Sequence, residues 1–440
     1  LKIARDVNNV GNMDDQTSRR RALTVLHKCL FQEHILSDED YGEVFQSICK
    51  TIFKRFTDPV EKCREMAFKI TQSFFQNTSD LTLTIGYFIP ALMARVPPGM
   101  AFDEDMKVFI MDMEAHEAYR RGKAVDRQDK TDTTTHIVIE PSEEIRHLGC
   151  ETLFILVKKL CESGAATVLH PYFHECVMYV QAQLRDPYPD LKLVACELLE
   201  LFCCYDDFTA GMKFFAVALC RAIFPVMRHR HAKIRAASIS ALTRCMAVPD
   251  RAKMKGSGTE SIMDMVGFKE ENHLSVAAFY KSDIQINYLA DVVQDSSVQV
   301  RMKVAQMLHI FLTELGDRYD HQTRLLPYVL DLLCDECPEV ASTAMATMQK
   351  CGKQYEDEHQ DEIIDRRQYG VDGDRRMNIE KPLPAPFTER PRLGMRLYVR
   401  GNCKRFINAL VAELTNWVGT TRLKSANLLK MVVIFMEEYL

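Results

Sequence analysis

The side chains best suited to chemistry in this sequence are its fifteen cysteines and thirteen histidines, since thiolates and imidazoles are the usual metal ligands and nucleophiles. Cys334 and Cys337 form a C-x-x-C pair, which could supply half of a zinc site or a redox couple. A structural zinc needs about four ligands, and no second C-x-x-C or H-x-x-x-H pair lies nearby. We therefore expect two ordinary thiols here and no metal.

Two histidine-containing stretches are weaker candidates. His229 and His231 flank Arg230 between two helical patterns, where such residues more often replace a turn acid than bind a metal. The stretch EAHEAYRRG at 114–122 lacks the second histidine of a zinc-protease motif. Phosphate-loop, dinucleotide-binding and nucleophile-elbow motifs do not occur, and no pair of acids stands out for acid–base work. The sequence thus predicts neither an enzyme nor a cofactor.

A pairing of charged residues recurs along the chain. In each case a turn acid is followed by a base six positions later, and successive turns are 40 to 46 residues apart, or 66 to 82 where an insertion is added. This period is typical of HEAT or armadillo helical pairs. The pairs are Asp15 with Arg21, Asp58 with Arg64, Glu140 with Arg146, Asp186 with Lys192 and Asp295 with Arg301; His229 precedes Arg235, Asn416 precedes Arg422, and Asp335 is followed by Ala341.

Apolar residues on either side of these turns recur at three and four positions, as in two facing helices. We predict an all-α fold, an α-solenoid of HEAT/armadillo-type helical pairs with about eight repeats and several insertions. Asp58 and Asp186 are expected to cap the second helix of their pairs. The base can then reach the acid of the neighbouring repeat, so that the charged residues form an inter-repeat ladder.

Changes in composition divide the chain into repeat regions and insertions. Residues 97–135 contain a polar run without core residues, 249–275 contain the flexible sequence KGSGTE, and 356–395 are charged and then rich in proline. The predicted organisation is N-terminal repeats at 1–96, a partly disordered insertion at 97–135, repeats at 136–248, a flexible insertion at 249–275, repeats at 276–355, a linker at 356–395 and a repeat at 396–440. Both ends of the chain look cut.

The overall composition predicts a soluble protein and gives no support for a nucleic-acid or membrane partner. With 47% hydrophobic and 27% charged residues the chain is typical of a folded soluble protein. The net charge of −5 gives no reason to expect nucleic acid, although basic clusters occur at 19–21, 228–235 and 366–376. No run of 18 apolar residues predicts a membrane span. The cysteines lie within helical patterns and no secretory signal precedes them, which favours a reduced, cytosolic protein.

Seven segments of the chain carry a resemblance to a known family. They are ARDVNN…TSRRRAL at 4–23, DPVEKCRE at 58–65, IEPSEEIR at 139–146, RDPYPDLK at 185–192, HRHAKIRAASISA at 229–241, LGDRYDHQTRLLPYVLDLLCDECPEV at 315–340 and ERPRLGMRLYVRGNCKRFINALVAELTNWVGTTRLKSANLL at 389–429. In this order they resemble the HEAT-repeat axonemal dynein assembly factor. The most specific part surrounds Trp417, with Gly419 and Arg422, although the family usually has an acid where this chain has Asn416.

The resemblance implies a non-catalytic scaffold or co-chaperone for cytoplasmic preassembly of axonemal dynein arms. The implied partners are axonemal dynein heavy or intermediate chains, chaperones and other assembly factors, without nucleic acid or membrane. The implied location is the cytoplasm of ciliated or flagellated cells. Alternatives are a structural axonemal component, or a transport or nucleic-acid-associated adaptor. The family supplies no catalytic or ligand residues to transfer, and the partner-binding residues stay undetermined.

Overall fold

The computed structural model describes residues 4–11, 15–32, 40–78, 80–94, 100–103, 108–111, 140–251, 257–266, 286–373 and 383–440. Within these ranges the secondary structure is helical apart from one short hairpin, and the predicted fold class, an α-solenoid of HEAT/armadillo-type pairs, is confirmed. The chain forms two compact units, Leu1–Val226 and Met227–Leu440.

The first unit consists of two layers of helices. The first helices of successive pairs contact one another in chain order, and so do the second helices. The first-helix layer contains α1 (Ala4–Gly11), α3 (Asp40–Phe53), α5 (Thr82–Met93), α7 (Phe173–Leu184) and α9 (Asp206–Ile223). The second-helix layer contains α2 (Gln16–His27), α4 (Glu61–Asn77), α6 (Glu143–Glu162) and α8 (Pro189–Cys204).

The second unit repeats this arrangement and then departs from it. Its second-helix layer contains α10 (Ala232–Arg251), α13 (Val298–Thr313), α15 (Pro338–Glu358) and α17 (Leu393–Cys403), in successive contact. The remaining helices are α11 (Ser257–Val266), α12 (Tyr288–Val293), α14 (Arg318–Leu332), α16 (Gln360–Arg366), α18 (Ile407–Glu413) and α19 (Gly419–Met436). Helix α19 packs on both α14 and α17, so the last pair does not continue the simple layer order.

The core lies between the two layers and is aromatic in the first unit. Phe45 of α3 stacks on Phe74 of α4 with ring centroids 4.5 Å apart, and Phe56 stacks on Phe68 at 3.9 Å. All four rings are almost fully buried. Large aromatic side chains supply most of the apolar area that holds such helical pairs together. In α8 the buried stripe is mainly aliphatic, with Leu198 completely buried, and Phe202 adds a ring that packs on Phe173.

The regions between repeats contain more structure than their composition predicts. Strands β1 (Met100–Asp103) and β2 (Val108–Met111) form an antiparallel hairpin within the polar insertion; two four-residue runs are too short to produce a clear strand pattern. Helix α11 occupies the segment expected to be flexible, because Ile262 and Met265 are buried despite the neighbouring glycines. Ile363 of α16 packs with Leu393 and Leu397, so part of the expected linker is folded.

One described helix is long and apolar enough to cross a bilayer. It covers Asp206–Arg228, with a mean hydropathy of 1.6, and 61% of that window is buried inside the protein. Buried core helices pass the same test of length and composition, and Phe208 of this helix stacks on Phe173 of α7. The segment is therefore accounted for as part of the first unit's core.

Candidate functional site

Except for α17, each second helix described here after α2 follows a turn of the same geometry. The turn residue lies three positions before the helix, and its side chain accepts a hydrogen bond from the N–H two residues later: 2.9 Å for Asp58, 2.8 Å for Asp186 and 2.8 Å for Asp295. Sequence reasoning placed Asp58 and Asp186 as direct helix caps, which is wrong. The caps are Val60 and Tyr188, without a side-chain bond, and the acids organise the turn ahead of them.

The base lies at the fourth residue of the helix and reaches back across its own turn. Arg146 Nη1 donates to the Glu140 carbonyl oxygen at 3.0 Å, and Arg301 Nη1 to that of Asp295 at 2.7 Å. Arg64 and Arg235 make the same bond to the first carbonyl of their turns. Each guanidinium is thereby fixed before it meets another repeat.

The free edge of each of these arginines then pairs with the turn acid of the following repeat, an arrangement we call a rung. The nitrogen–oxygen distances are 2.7 Å for Arg64 to Glu140, 2.6 Å for Arg146 to Asp186, 2.6 Å for Arg235 to Asp295 and 2.6 Å for Arg301 to Asp335. The last three are bidentate, which fixes direction as well as distance. The hydrogen bonds that Arg301 donates to Asp335 raise the pKa of Arg301, so this base stays charged.

The first rung corrects the predicted residue. Arg21 is exposed, whereas Arg19 is 1% exposed and donates from Nε to Asp58 Oδ2 at 2.9 Å. Asp15 caps α2 directly, so this helix starts one residue after the acid instead of three. Arg19 is therefore the fourth helical residue, like the other rung bases. Counting from the helix start would have found it, whereas counting six from the acid does not.

Two positions break the series within the units. Lys192 stands in place of arginine and donates to the Leu184 carbonyl at 2.6 Å; burial lowers its pKa, while Asp186 opposes the shift. At Ala341 the base is absent. Asp335 accepts hydrogen bonds from Arg301 of the preceding repeat, but its own repeat has no arginine at the corresponding position to form the next rung. In the turn before α10, His229 Nδ1 accepts from the His231 N–H at 3.1 Å and so acts as the turn acceptor.

After Ala341 the contact between α15 and α17 is made by glycines. A Cβ at Gly394 would overlap the carbonyl oxygen of Gly352, and a Cβ at Gly352 would overlap Met395. Glu356 of α15 accepts from the Gly394 N–H at 2.9 Å and pairs with Arg392 at 2.6 Å. The backbones of the two helices therefore meet directly.

A further rung joins α17 to the end of the described chain and was missed from the sequence. Arg396, the fourth residue of α17, is fully buried and donates to Glu437 Oε2 at 3.0 Å. Arg390 and Arg400 pair with the same carboxylate at 2.7 and 3.1 Å. Burial opposes the ionisation of Glu437, but hydrogen bonds and charge interactions with Arg390 and Arg396 hold its pKa below the usual value. The helix position of Arg396 is the signal that could have identified it.

The family-like segment lies at the start of α19 and is exposed. Trp417 is 89% exposed, Gly419 is the first residue of the helix, and Arg422 bonds the carbonyls of Asn416 and Trp417 at 2.7 and 3.0 Å. No described carboxylate pairs with Arg422. This end of the ladder therefore differs from the interior rungs.

The cysteines show no reactive arrangement. All fifteen lie in the described ranges and none forms a disulfide, and burial raises the pKa of Cys161 and Cys176 to about 12 and that of Cys334 to about 11. Cys334 and Cys337 bond different partners, the Asn427 carbonyl and Glu339. Thiols with raised pKa values are poor nucleophiles and metal ligands at neutral pH. No group of three potential metal ligands occurs in the described ranges, and the stretch at 114–122 lies outside them.

Comparison with known proteins gives relatives along nearly the whole chain. Dynein axonemal assembly factor 5 of Xenopus laevis is 25% identical over 443 residues, covering 100% of this chain and 43% of the relative. The Mus musculus and Homo sapiens proteins of that name are 24% and 25% identical, each covering 97% of this chain and 42% and 41% of their own lengths. The chain thus spans less than half the length of these relatives.

Solved structures are more distant. Kap121p bound to Nup53p aligns with 100% of this chain and 38% of its own at 11% identity and a TM-score of 0.42. A designed armadillo repeat protein for modular peptide recognition covers 66% of this chain and 94% of its own at 10% identity and a TM-score of 0.33.

Two family models cover the repeats. The model described as Dynein axonemal assembly factor 5-like, TPR repeats matches residues 11–106, 133–261 and 276–366, more than half of the chain. The model described as Dynein axonemal assembly factor 5, HEAT-repeat domain matches residues 382–440. The matched ranges include every rung of the ladder. The chain therefore belongs to the dynein axonemal assembly factor 5 family.

Proposed function

We propose that this chain is a non-catalytic scaffold for the assembly of axonemal dynein arms. The observation that carries the proposal is the family match along the repeats. In addition, the charged residues of the turns form salt bridges that hold neighbouring repeats together. A scaffold needs a long surface of fixed geometry, and stacked helical pairs provide one. Membership of the family supports axonemal dynein as the proposed client.

The work is proposed to take place in the cytoplasm, before the arms enter cilia or flagella. Fifteen cysteines without a disulfide, most of them buried, are compatible with a reducing compartment. Dynein heavy or intermediate chains are the proposed clients, and chaperones and other assembly factors the proposed co-partners. The net charge of −5 supports a protein partner over nucleic acid.

The test is affinity purification of the tagged chain from the soluble fraction of ciliating cells, read by mass spectrometry. Dynein arm chains together with chaperones are expected. Recovery of nuclear-transport or chromatin proteins without dynein would contradict the proposal. Recovery of dynein only from stripped axonemes would assign a structural axonemal role instead.

A matched pair of variants tests whether the ladder supports this scaffold. Arg235→Ala removes a rung, while Arg244→Ala removes an exposed arginine from the same helix. Dynein recovery is expected to fall for Arg235→Ala and to stay unchanged for Arg244→Ala, at equal expression and equal helical content. Equal recovery from both variants would show that client binding does not depend on this rung.

A further inference from the structure

A pocket of about 150 Å³ lies in the second unit, where α13, α14, α15 and α17 meet. Its floor is formed by Leu312, Cys351 and Tyr398, each of which is at most 2% exposed. Its mouth is lined by exposed residues, among them Tyr319 of α14 and His359 just after α15. The pocket therefore opens to solvent at one end and closes on buried side chains at the other.

The hydroxyl of Tyr398 is a buried polar group in this pocket. Its oxygen has no hydrogen bond of good geometry in the described part of the chain, and the Cys351 thiol beside it is only a weak partner. Nearly all buried polar atoms of folded proteins are hydrogen-bonded. The pocket therefore favours an occupant that brings a hydrogen-bonding atom to its floor.

The charges of the pocket favour a neutral occupant. Arg318 and Glu358 are its lining residues that are charged at neutral pH, and they pair with each other. Arg318 also donates to the Tyr319 hydroxyl at 2.8 Å and lies 4.4 Å from the centroid of that ring. On the floor, burial raises the pKa of Cys351 to about 12, so this thiol is neutral. A charged group placed there would lose its hydration without gaining a counter-ion.

The volume and the walls favour a single aromatic ring. Sites for cofactors and drug-sized ligands occupy roughly 300–1,000 Å³, whereas an engineered apolar cavity of about 150 Å³ holds benzene. Tyr319, Tyr355 and His359 supply aromatic walls, and the rings of Tyr355 and His359 stack with centroids 4.0 Å apart. Aromatic rings pack favourably against such walls. One ring that carries one polar atom therefore matches the size, the walls and the floor.

We propose that this pocket binds a tyrosine side chain of a partner protein, with the partner's ring against the aromatic walls and its hydroxyl bonded to that of Tyr398. The half-buried amide of Gln322, which also lines the pocket, is then placed to bond the partner's backbone. A phenylalanine would leave the Tyr398 hydroxyl unpaired and is disfavoured for that reason. The proposal does not depend on dynein being the client, because it concerns one side chain of any partner.

The experiment measures the binding of N-acetyl-tyrosinamide to the 440-residue chain by ligand-observed NMR titration. N-acetyl-phenylalaninamide is the matched probe without the hydroxyl, and p-cresol is the phenol ring without a peptide group. We expect the tyrosine probe to bind about five- to tenfold more tightly than the phenylalanine probe, which is the effect of one net hydrogen bond.

Two results with these probes would overturn the proposal. Saturable binding of p-cresol without binding of N-acetyl-tyrosinamide would show a site for a free phenol instead of a protein side chain. Absence of saturable binding of any probe would show that the pocket holds only water.

A matched pair of variants tests the hydroxyl on the floor. Tyr398→Phe keeps the ring and is expected to abolish the preference for the tyrosine probe, while the phenylalanine probe binds as before. Tyr369→Phe removes a hydroxyl from an exposed residue outside the pocket and should keep the preference. A preference that survives Tyr398→Phe would overturn the proposal.

A second pair of variants locates the site without changing its floor. Gln322→Trp places a large ring at the mouth, and binding of both amino-acid probes is expected to weaken at least tenfold at unchanged helical content. Gln368→Trp, at an exposed residue that does not line the pocket, should leave both affinities unchanged. Unchanged affinities in Gln322→Trp would place the binding elsewhere and overturn the proposal.

Discussion

Helix α15 is held to its two neighbours in two different ways. On the α13 side, Arg301 spans the gap to Asp335 at 2.6 Å, and Gln354 donates to the Thr313 carbonyl at 2.9 Å. On the α17 side no rung exists at Ala341, and Gly352 meets Gly394 backbone to backbone. Side-chain bridges thus hold the first interface, whereas the second combines the Glu356–Arg392 pair with a close backbone approach that the absence of side chains permits.

The difference teaches what each interface tolerates. A rung needs a long cation and a carboxylate at fixed places, while the surrounding positions are free to vary in size. A glycine contact needs no charge, but any Cβ at the crossing forces the helices apart. The first interface is therefore vulnerable to loss of charge and the second to added volume.

The largest effect should come from removing a buried rung base. Arg19→Ala leaves the Asp58 carboxylate, itself 2% exposed, without its bidentate partner, although Arg55 remains at 3.2 Å. We expect a loss of about 3 to 5 kcal/mol in the free energy of unfolding, as for other buried pairs broken on one side. Urea denaturation followed by circular dichroism measures it.

Arg21→Ala is the matched control for that variant, because Arg21 lies two residues away on the same helix and is exposed. It should leave the unfolding midpoint unchanged. Equal losses for both variants would show that general helix propensity, and not the rung, is being measured.

The second effect tests the glycine interface. Gly394→Ala places a methyl group against the Gly352 carbonyl, where backbone must shift, and we expect a loss of about 1 to 3 kcal/mol from overpacking. Gly401→Ala is the control in the same helix, since a Cβ there meets nothing within 4 Å. That variant should gain stability, because alanine is a better helix former than glycine. Thermal unfolding of the two variants would contradict the glycine contact if both were stabilised.

The smallest effect concerns pH and the rung at Glu437. Because the folded pKa of Glu437 is lowered, its stabilising contribution is present above the unfolded value of about 4.3 and is lost as pH falls through the folded pKa. In Glu437→Gln, the free energy of unfolding should fall less steeply below pH 4.3 than in the parent chain.

Glu438→Gln, a change at the exposed neighbour, should keep the parent's pH dependence. The measurement is chemical denaturation at pH values from 3 to 6. If the free energy of unfolding of Glu437→Gln fell with pH as steeply as that of the parent chain, the Glu437 charge would not contribute to stability through these arginines.

The sequence predicts the fold class and much of the ladder because both depend on local spacing. Arg64 and Arg146 recur six residues after a turn acid, and that offset reflects the turn of three residues and the first helical turn that follows. Arg19 escaped the rule because Asp15 caps its helix directly. The sequence shows the repeat period, whereas the residue at which each helix begins is known only from the structure.

Other features depend on contacts between distant residues. The pairing of Arg396 with Glu437 follows from how α19 packs on α17, and the contact of Gly352 with Gly394 follows from one helix crossing. Neither residue pair has a distinctive spacing. Helix α11 was missed for a different reason. The glycines around Ser257 indicated a flexible segment, and only two apolar residues that become buried, Ile262 and Met265, follow them.

The hydrogen bonds of the turns give the repeats a direction, because each rung runs from an arginine of one repeat to the turn acid of the next. In the repeat of Asp295 and Arg301, the acid pairs with Arg235 of the preceding repeat and the base pairs with Asp335 of the following one. A duplicate of that helical pair could therefore be inserted next to the original with both rungs formed. The turn of Asp335 and Ala341 accepts a cation but supplies none, because Ala341 has no charge. The outcome of shuffling repeats within this chain would therefore depend on which of these two kinds of turn lies next to the other.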